Sequence, residues 1–183
     1  MTLTHPYCDY CKKLDKNDPN KLYHDNEYGF PIEDNNELFG RLLLEINQAG
    51  LSWSIILKKA HNFREAYAGF NLKKVAKFTQ EDRNRLLSNT GIIRNRLKVN
   101  AAIYNAQQII GLQKAHGSFK KWLDLNHPLS REEWVKLFKK TFKFTGGEIT
   151  NEFLLSTGYL KGAHDKNCEV YEKTLSAQPM WNK

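Results

Sequence analysis

The chain has 183 residues, 40% hydrophobic and 26% charged, enough for one sizeable core and hardly enough for two. Its 28 lysines and arginines against 20 acidic residues leave a net charge of +8, which suits a polyanionic partner. No apolar run approaches the roughly 20 residues of a membrane span, the opening stretch MTLTHPYCDYCKK lacks a secretion signal, and three cysteines exclude a disulfide framework, so a soluble cytoplasmic protein with reduced thiols is expected.

Helical periodicity runs through nearly the whole sequence. Asp34 and Glu37 have capping-box spacing, and Leu38, Phe39, Leu42, Leu43, Ile46 and Ala49 then form a stripe that stops at Gly50. Ser52 is the expected cap of a helix carrying Trp53, Ile56, Leu57, Ala60 and Phe63. Asn71 and Thr79 open two short helices, the second ending near Ser88. After Asn89-Thr90-Gly91 comes a longer one with Val99, Ile103, Ala106 and Ile110 on one side. Ser130 and Glu133 form another capping box ahead of Trp134, Leu137 and Phe138, and a last helix spans about Gly147 to Thr157 with Gly158 as its stop. No useful segment alternates with period two, and no linker, repeat or low-complexity stretch interrupts the chain. The expected fold is all-α, a single helical domain over residues 1–183.

Three local features carry possible chemistry. Cys8-x-x-Cys11 and His24 lie near one end and His164-x-x-x-Cys168 near the other, so ligands from both ends can complete a tetrahedral zinc site that is structural rather than catalytic. The alternative for Cys8 and Cys11, a redox pair, lacks the βαβ pattern that usually surrounds one. The second feature is the stretch from Leu86 to Arg96, a short helix, a glycine-containing turn and a basic second helix. Its backbone amides and Arg94, Arg96 and Lys98 suit a DNA phosphate, and a plain helix connection with a solvated basic face is the competing reading. The third is Glu45, at the edge of an apolar stripe, either paired with Arg41 one turn earlier or directed into a pocket.

These features occur in a fixed order with others. Tyr23-His24-Asp25-Asn26-Glu27-Tyr28-Gly29-Phe30-Pro31 is followed by Glu45-x-x-Gln48-Ala49-Gly50-Leu51-Ser52-Trp53. Gly91-Ile92-Ile93-Arg94-Asn95-Arg96, Phe142-Lys143-Phe144-Thr145-Gly146, and finally His164 and Cys168 come after. The whole resembles the DNA-3-methyladenine glycosylase I family of helix-hairpin-helix base-excision enzymes, over about Cys8 to Cys168. The resemblance implies structural zinc held by Cys8, His24, His164 and Cys168, with zinc-binding ends at about 8–24 and 164–168. Cys8 is preferred to Cys11 because Cys8-Asp9-Tyr10 is similar to the family's Cys-x-Trp. It further implies a base contact from Glu45, stacking on the base by Tyr23, Tyr28 and Trp53 with Leu51 on the same loop as Trp53, and a DNA-anchoring hairpin at about 79–112 that includes Asn89, Gly91, Ile93, Arg94, Arg96 and Lys98. Tyr10 and Tyr28 stand where the family usually has tryptophan, and Asn20 where an aromatic is common.

The implied reaction is hydrolysis of the N-glycosidic bond of 3-methyladenine in double-stranded DNA, by a monomer that releases the free base and leaves an abasic site. Methylation at N3 makes the base cationic and a good leaving group. The absence of Asp between Arg94 and Lys121 agrees with a scheme that relies on that lability, and no lysine stands out as a nucleophile for strand cleavage. A non-catalytic DNA lesion-binding relative, or a glycosylase for another alkylated base, are the alternatives.

Overall fold

Short polar side chains set where helices begin. In the computed structural model, which describes residues 6–183, α1 is Pro6–Cys11 and α2 is Pro19–Asn26, the latter capped by Asp18. Asp34 accepts from the amides of Asn36 and Glu37 and starts α3, Asn35–Gln48. α4 is Trp53–Ala66, followed by a 3-10 turn at Ala68–Phe70 and by α5, Leu72–Val75, capped by Asn71. Thr79 and Asp82 form a reciprocal capping box on α6, Gln80–Ser88, and Asn95 caps the long α7, Arg96–His116. α8 is Phe119–Asn126 with Ser118 as its cap, and Ser130 and Glu133 make the expected box on α9, Arg131–Thr141. α10, Gly147–Ser156, α11, Tyr171–Ser176, and a 3-10 turn at Met180–Asn182 complete the described chain, which is helical throughout with no strand among the described residues. None of these helices is long and apolar enough to cross a membrane.

The all-α expectation holds, and two local expectations change. Glu37 does not close the capping box at α3; its carboxylate takes both guanidinium nitrogens of Arg64 on α4 instead. Ser52 sits at the N-cap of α4 with no capping bond from its side chain. α1, α2, α8 and α11 are helices beyond those expected from the sequence.

The described residues form two compact units, one from residues 6–31 and 151–183 and the other from 32–150. In the first unit Cys8 and Cys168 pack with Val170 and Tyr171 against Phe30, Leu175 and Trp181.

In the second unit, α3 buries the predicted stripe from Leu38 to Ile46. Ile56 and Phe63 of α4 and Val99, Ile103 and Ala106 of α7 are buried as well. A second cluster joins Phe119 and Trp122 of α8 to Phe138 and Phe142, with ring centroids 5.3–6.1 Å apart. Asn35, at the start of α3, ties this cluster down: its Oδ1 accepts from the amides of Phe119 (2.8 Å) and Lys120 (3.1 Å).

Gly40 in the middle of α3 has a packing reason. A Cβ there would lie 2.4 Å from Cδ2 of Phe70, a buried ring whose backbone sits at φ 60°. Alanine should therefore destabilise the fold by about 1–3 kcal/mol despite its better helix propensity, read as a lower urea midpoint for Gly40→Ala at unchanged slope.

Candidate functional site

Four predicted metal ligands converge in the first unit. Cys8, His24, His164 and Cys168 are all buried, and one ligand atom from each lies within 4.8 Å of every other. Sγ of Cys8 is 3.7 Å from Nδ1 of His164, and Sγ of Cys168 is 3.5 Å from the same nitrogen and 3.6 Å from Nε2 of His24. Ligands about 2.3 Å (sulfur) and 2.0–2.1 Å (nitrogen) from a tetrahedral metal would be separated by about 3.6 Å along a sulfur–nitrogen edge, so the spacing fits. The group can hold a metal ion.

The histidines are oriented from behind. Nδ1 of His24 is 2.7 Å from a carboxylate oxygen of Asp25, which leaves Nε2 facing the thiols. Nε2 of His164 is 2.7 Å from the carbonyl oxygen of Tyr28, which leaves Nδ1 facing them. Such partners fix the tautomer and raise ligand basicity. Gly29 makes the second contact possible, because it stands at φ 84° and a Cβ would fall 2.7 Å from that of Ala163. Burial pushes the Cys8 thiol up to about 12; a bound dication opposes that shift by favouring the thiolate.

Cys11 lies outside this group. It is buried, pushed up to about 11 chiefly by burial, and its thiol is 3.7 Å from the carbonyl oxygen of Asn20.

Tyr23 and Tyr28 are also buried in the first unit, with ring centroids 5.7 Å apart. Tyr28 meets Tyr7 and His164 edge-on, and its hydroxyl is 3.3 Å from a carboxylate oxygen of Glu152. Part of Tyr28 is thus committed to the Cys/His group.

Glu45, Leu51, Trp53 and the hairpin belong to the second unit. Glu45 is only 3% exposed, on α3 one turn beyond the buried Arg41. Leu51 is exposed just before α4, and Trp53, half-buried, is the first residue of that helix.

The turn between α6 and α7 is held from inside and outside. Oδ1 of Asn89 accepts from the amide of Gly91 at 2.8 Å, and Ile92 is buried. From α4, Nζ of Lys59 donates to the carbonyls of Thr90 (3.0 Å) and Gly91 (3.3 Å), and Nδ2 of Asn62 donates to Gly91 at 3.2 Å. A Cβ at position 91 would sit 3.0 Å from Oδ1 of Asn89 and 3.1 Å from Nδ2 of Asn62, which explains the glycine. Ile93 is half-buried, and Arg94 and Arg96 are exposed.

Lys98 differs from its neighbours. It is 4% exposed, and its ammonium donates to the carbonyls of Asn47 (2.8 Å) and Ala49 (2.7 Å) at the C-terminal end of α3. Burial lowers its pKa below the usual lysine value. The amides of Leu97 and Lys98 are already bonded to Oδ1 of Asn95. The expectation of an outward phosphate contact at Lys98 therefore gives way to an inward clamp on the helix that carries Glu45, while Arg94 and Arg96 remain the outward cations.

Sequence reasoning missed this clamp and the supports from Lys59, Asn62 and Asp25. A signal for Lys98 existed: it shares helical spacing with Ala102, Asn105 and Ile109, all buried on α7.

This helical architecture is that of DNA glycosylases of known structure. 3-Methyladenine DNA glycosylase I from Staphylococcus aureus superposes with a TM-score of 0.79 at 32% identity, covering 90% of this chain and 97% of that one. A variant of 3-methyladenine DNA glycosylase I solved in complex with 3-methyladenine gives 0.78 at 32% identity, covering 85% and 94%. The sequence profile of the family described as Methyladenine glycosylase matches residues 13–171, and the chain belongs to that family. It is 36% identical to DNA-3-methyladenine glycosylase 1 of Escherichia coli over 81% of this chain and 89% of the relative. It is 41% identical to the DNA-3-methyladenine glycosylase of Haemophilus influenzae over 57% of this chain, a match that spans 58% of that relative's length.

Two measurements check this geometry. Metal analysis of purified protein should find about one metal per chain, retained in Cys11→Ser and lost in Cys8→Ser, with a lower melting temperature for wild type after chelation. Lys98→Met should lower unfolding free energy by about 1–3 kcal/mol in a urea titration, since two buried carbonyls lose their donor.

Proposed function

We propose that this chain hydrolyses the N-glycosidic bond of 3-methyladenine in alkylated DNA, with Glu45 as the group that favours the cationic base. Membership of the methyladenine glycosylase family supports the reaction class. The observation that carries the residue assignment is a carboxylate 3% exposed on α3, a helix whose C-terminal carbonyls are clamped by the first turn of the basic hairpin helix.

The substrate base carries a positive charge from methylation at N3, so its bond to C1′ is already weak. The pair of electrons leaves with the base, which departs neutral. Water adds to C1′ and gives up a proton, leaving an abasic site. Glu45 accepts hydrogen bonds from the edge of the base and favours the cation over neutral adenine, an interaction strengthened by removal from water. The aromatic face assigned to stacking within the unit that carries Glu45 is Trp53, with Leu51 on its loop; the family resemblance gives the same role to Tyr23 and Tyr28. A cation over such a ring gains about 0.5–2 kcal/mol.

DNA is held by a helix-hairpin-helix, α6 and α7 with the turn from Asn89 to Asn95, while the damaged base rotates out of the stack. Arg94 and Arg96 supply sequence-independent phosphate contacts, and the turn residues Asn89, Gly91 and Ile93 bring the backbone close.

Cys8, His24, His164 and Cys168 would hold zinc in a structural role. Two thiolates and two imidazoles suit zinc, and a set with all four positions filled by protein leaves none for substrate or water. It supplies cohesion to the terminal segments and takes no part in bond cleavage.

Chromatography of bases released from methylated duplex DNA tests the reading. Wild type should release 3-methyladenine, and Glu45→Gln should release it about 10- to 100-fold more slowly with duplex affinity little changed, the range expected for losing a charge-assisted contact. No release by folded, metal-loaded wild type would exclude the enzyme. Equal release by both proteins would remove Glu45 from its role.

A further inference from the structure

A cleft of about 450 Å³ opens between α6 and α7 in the second unit, away from Glu45 in sequence and lined by residues of three chain segments. Arg83 comes from α6, Arg96, Asn100 and Tyr104 come from α7, and Lys143 comes from the segment after α9. No acidic residue is among those that line it. Small-molecule pockets are mostly apolar with a few polar groups, and this lining is the reverse.

Two of the cations have partners in the cleft wall and beside it. Nε of Arg83 donates to Oδ1 of Asn100 at 3.1 Å, and Nη1 reaches the carbonyl of Phe78 at 3.5 Å. The backbone of Lys143 is gripped on both sides by Asn105, a residue 1% exposed: Nδ2 donates to the Lys143 carbonyl at 3.0 Å and Oδ1 accepts from its amide at 2.8 Å. Nζ of Lys143 then lies 4.3 Å from the centre of the Tyr104 ring. A buried asparagine anchors the backbone of a surface lysine on this wall, and like charges held beside low-dielectric walls focus the field on an anion.

Arg96 decides which anion. It is at once the first residue of α7, directly after the hairpin turn, and part of the cleft. The cleft is therefore continuous, through Arg96, with the turn at which the polyanion of the proposed function would be engaged.

We infer that the α6–α7 cleft is a second phosphate-contact site, through which a DNA strand held at the hairpin continues across Arg83, Arg96 and Lys143. The inference rests on the proposed DNA substrate and extends its footprint beyond the hairpin. Arg83 and Lys143 contribute to affinity in a sequence-independent way and touch neither the base nor the reacting bond.

The test is the salt dependence of duplex binding by the full chain, for wild type, Lys143→Gln, the double variant Arg83→Gln/Lys143→Gln, and Lys12→Gln as an exposed cation of the first unit. Each lost phosphate contact should flatten the slope of log K against log salt by about 0.9, so Lys143→Gln loses about one unit and the double variant about two, with Lys12→Gln unchanged. Release of 3-methyladenine at saturating DNA should stay at the wild-type rate. Wild-type slopes in both cleft variants would overturn the inference, as would an equal drop in Lys12→Gln, which would mark a diffuse effect of net charge. A wild-type protein that releases no base fails the proposed function instead, and one that binds no duplex fails both.

Discussion

The first unit depends on one convergence, that of Cys8 and His24 from one end of the chain with His164 and Cys168 from the other, 156 residues apart between Cys8 and His164. Its helices are short, six residues in α1, eight in α2 and six in α11, too brief to be stable alone. Cys8 and Cys168 belong to the same small cluster as Val170 and Tyr171, so the polar ligand set and the apolar packing share side chains. The surrounding residues follow from that arrangement. Asp25 and the Tyr28 carbonyl turn the two imidazoles, and Gly29 lets the chain come close enough to do so. A bound metal therefore stabilises the unit by closing a long loop as well as by its own ligand bonds.

In the second unit a buried ammonium has a comparable role. Lys98 joins the first turn of α7 to the end of α3, so the element assigned to DNA anchoring and the helix carrying Glu45 move together. Lys59 and Asn62 of α4 grip the other side of the same turn. A turn tied on both sides by side chains would pass the position of a strand held there to α3 with little slack, as the proposed reaction on one displaced base requires.

Much of this was legible beforehand. Capping residues at 34, 71, 79 and 130 and the apolar stripe of α3 follow from backbone hydrogen-bond demand and a 3.6-residue period, both local in sequence. Residue type and spacing made Cys8, Cys11, His24, His164 and Cys168 legible as candidate ligands, and the family resemblance picked Cys8 from the pair. Lys98 misled because a lysine beside two arginines reads as surface charge, and its acceptors come from a helix 51 residues away. Glu37 misled for a related reason: its capping partner was local, but the Arg64 guanidinium 27 residues on offers a charged bidentate alternative.

The sequence alone determined the helical class, the order of the main helices, the candidate ligands and the motif order that marks the methyladenine glycosylase family, because each depends on neighbours a few residues apart or on residue chemistry itself. Tertiary structure decided which cysteine joins the histidines, which hairpin cation turns inward and which glycines are obligatory. Those outcomes rest on distances between remote segments. Cys8 and Cys11 are the same residue type three positions apart, and where motif likeness only favours Cys8, the packing that sends Cys11 toward Asn20 and Cys8 toward His164 separates them physically.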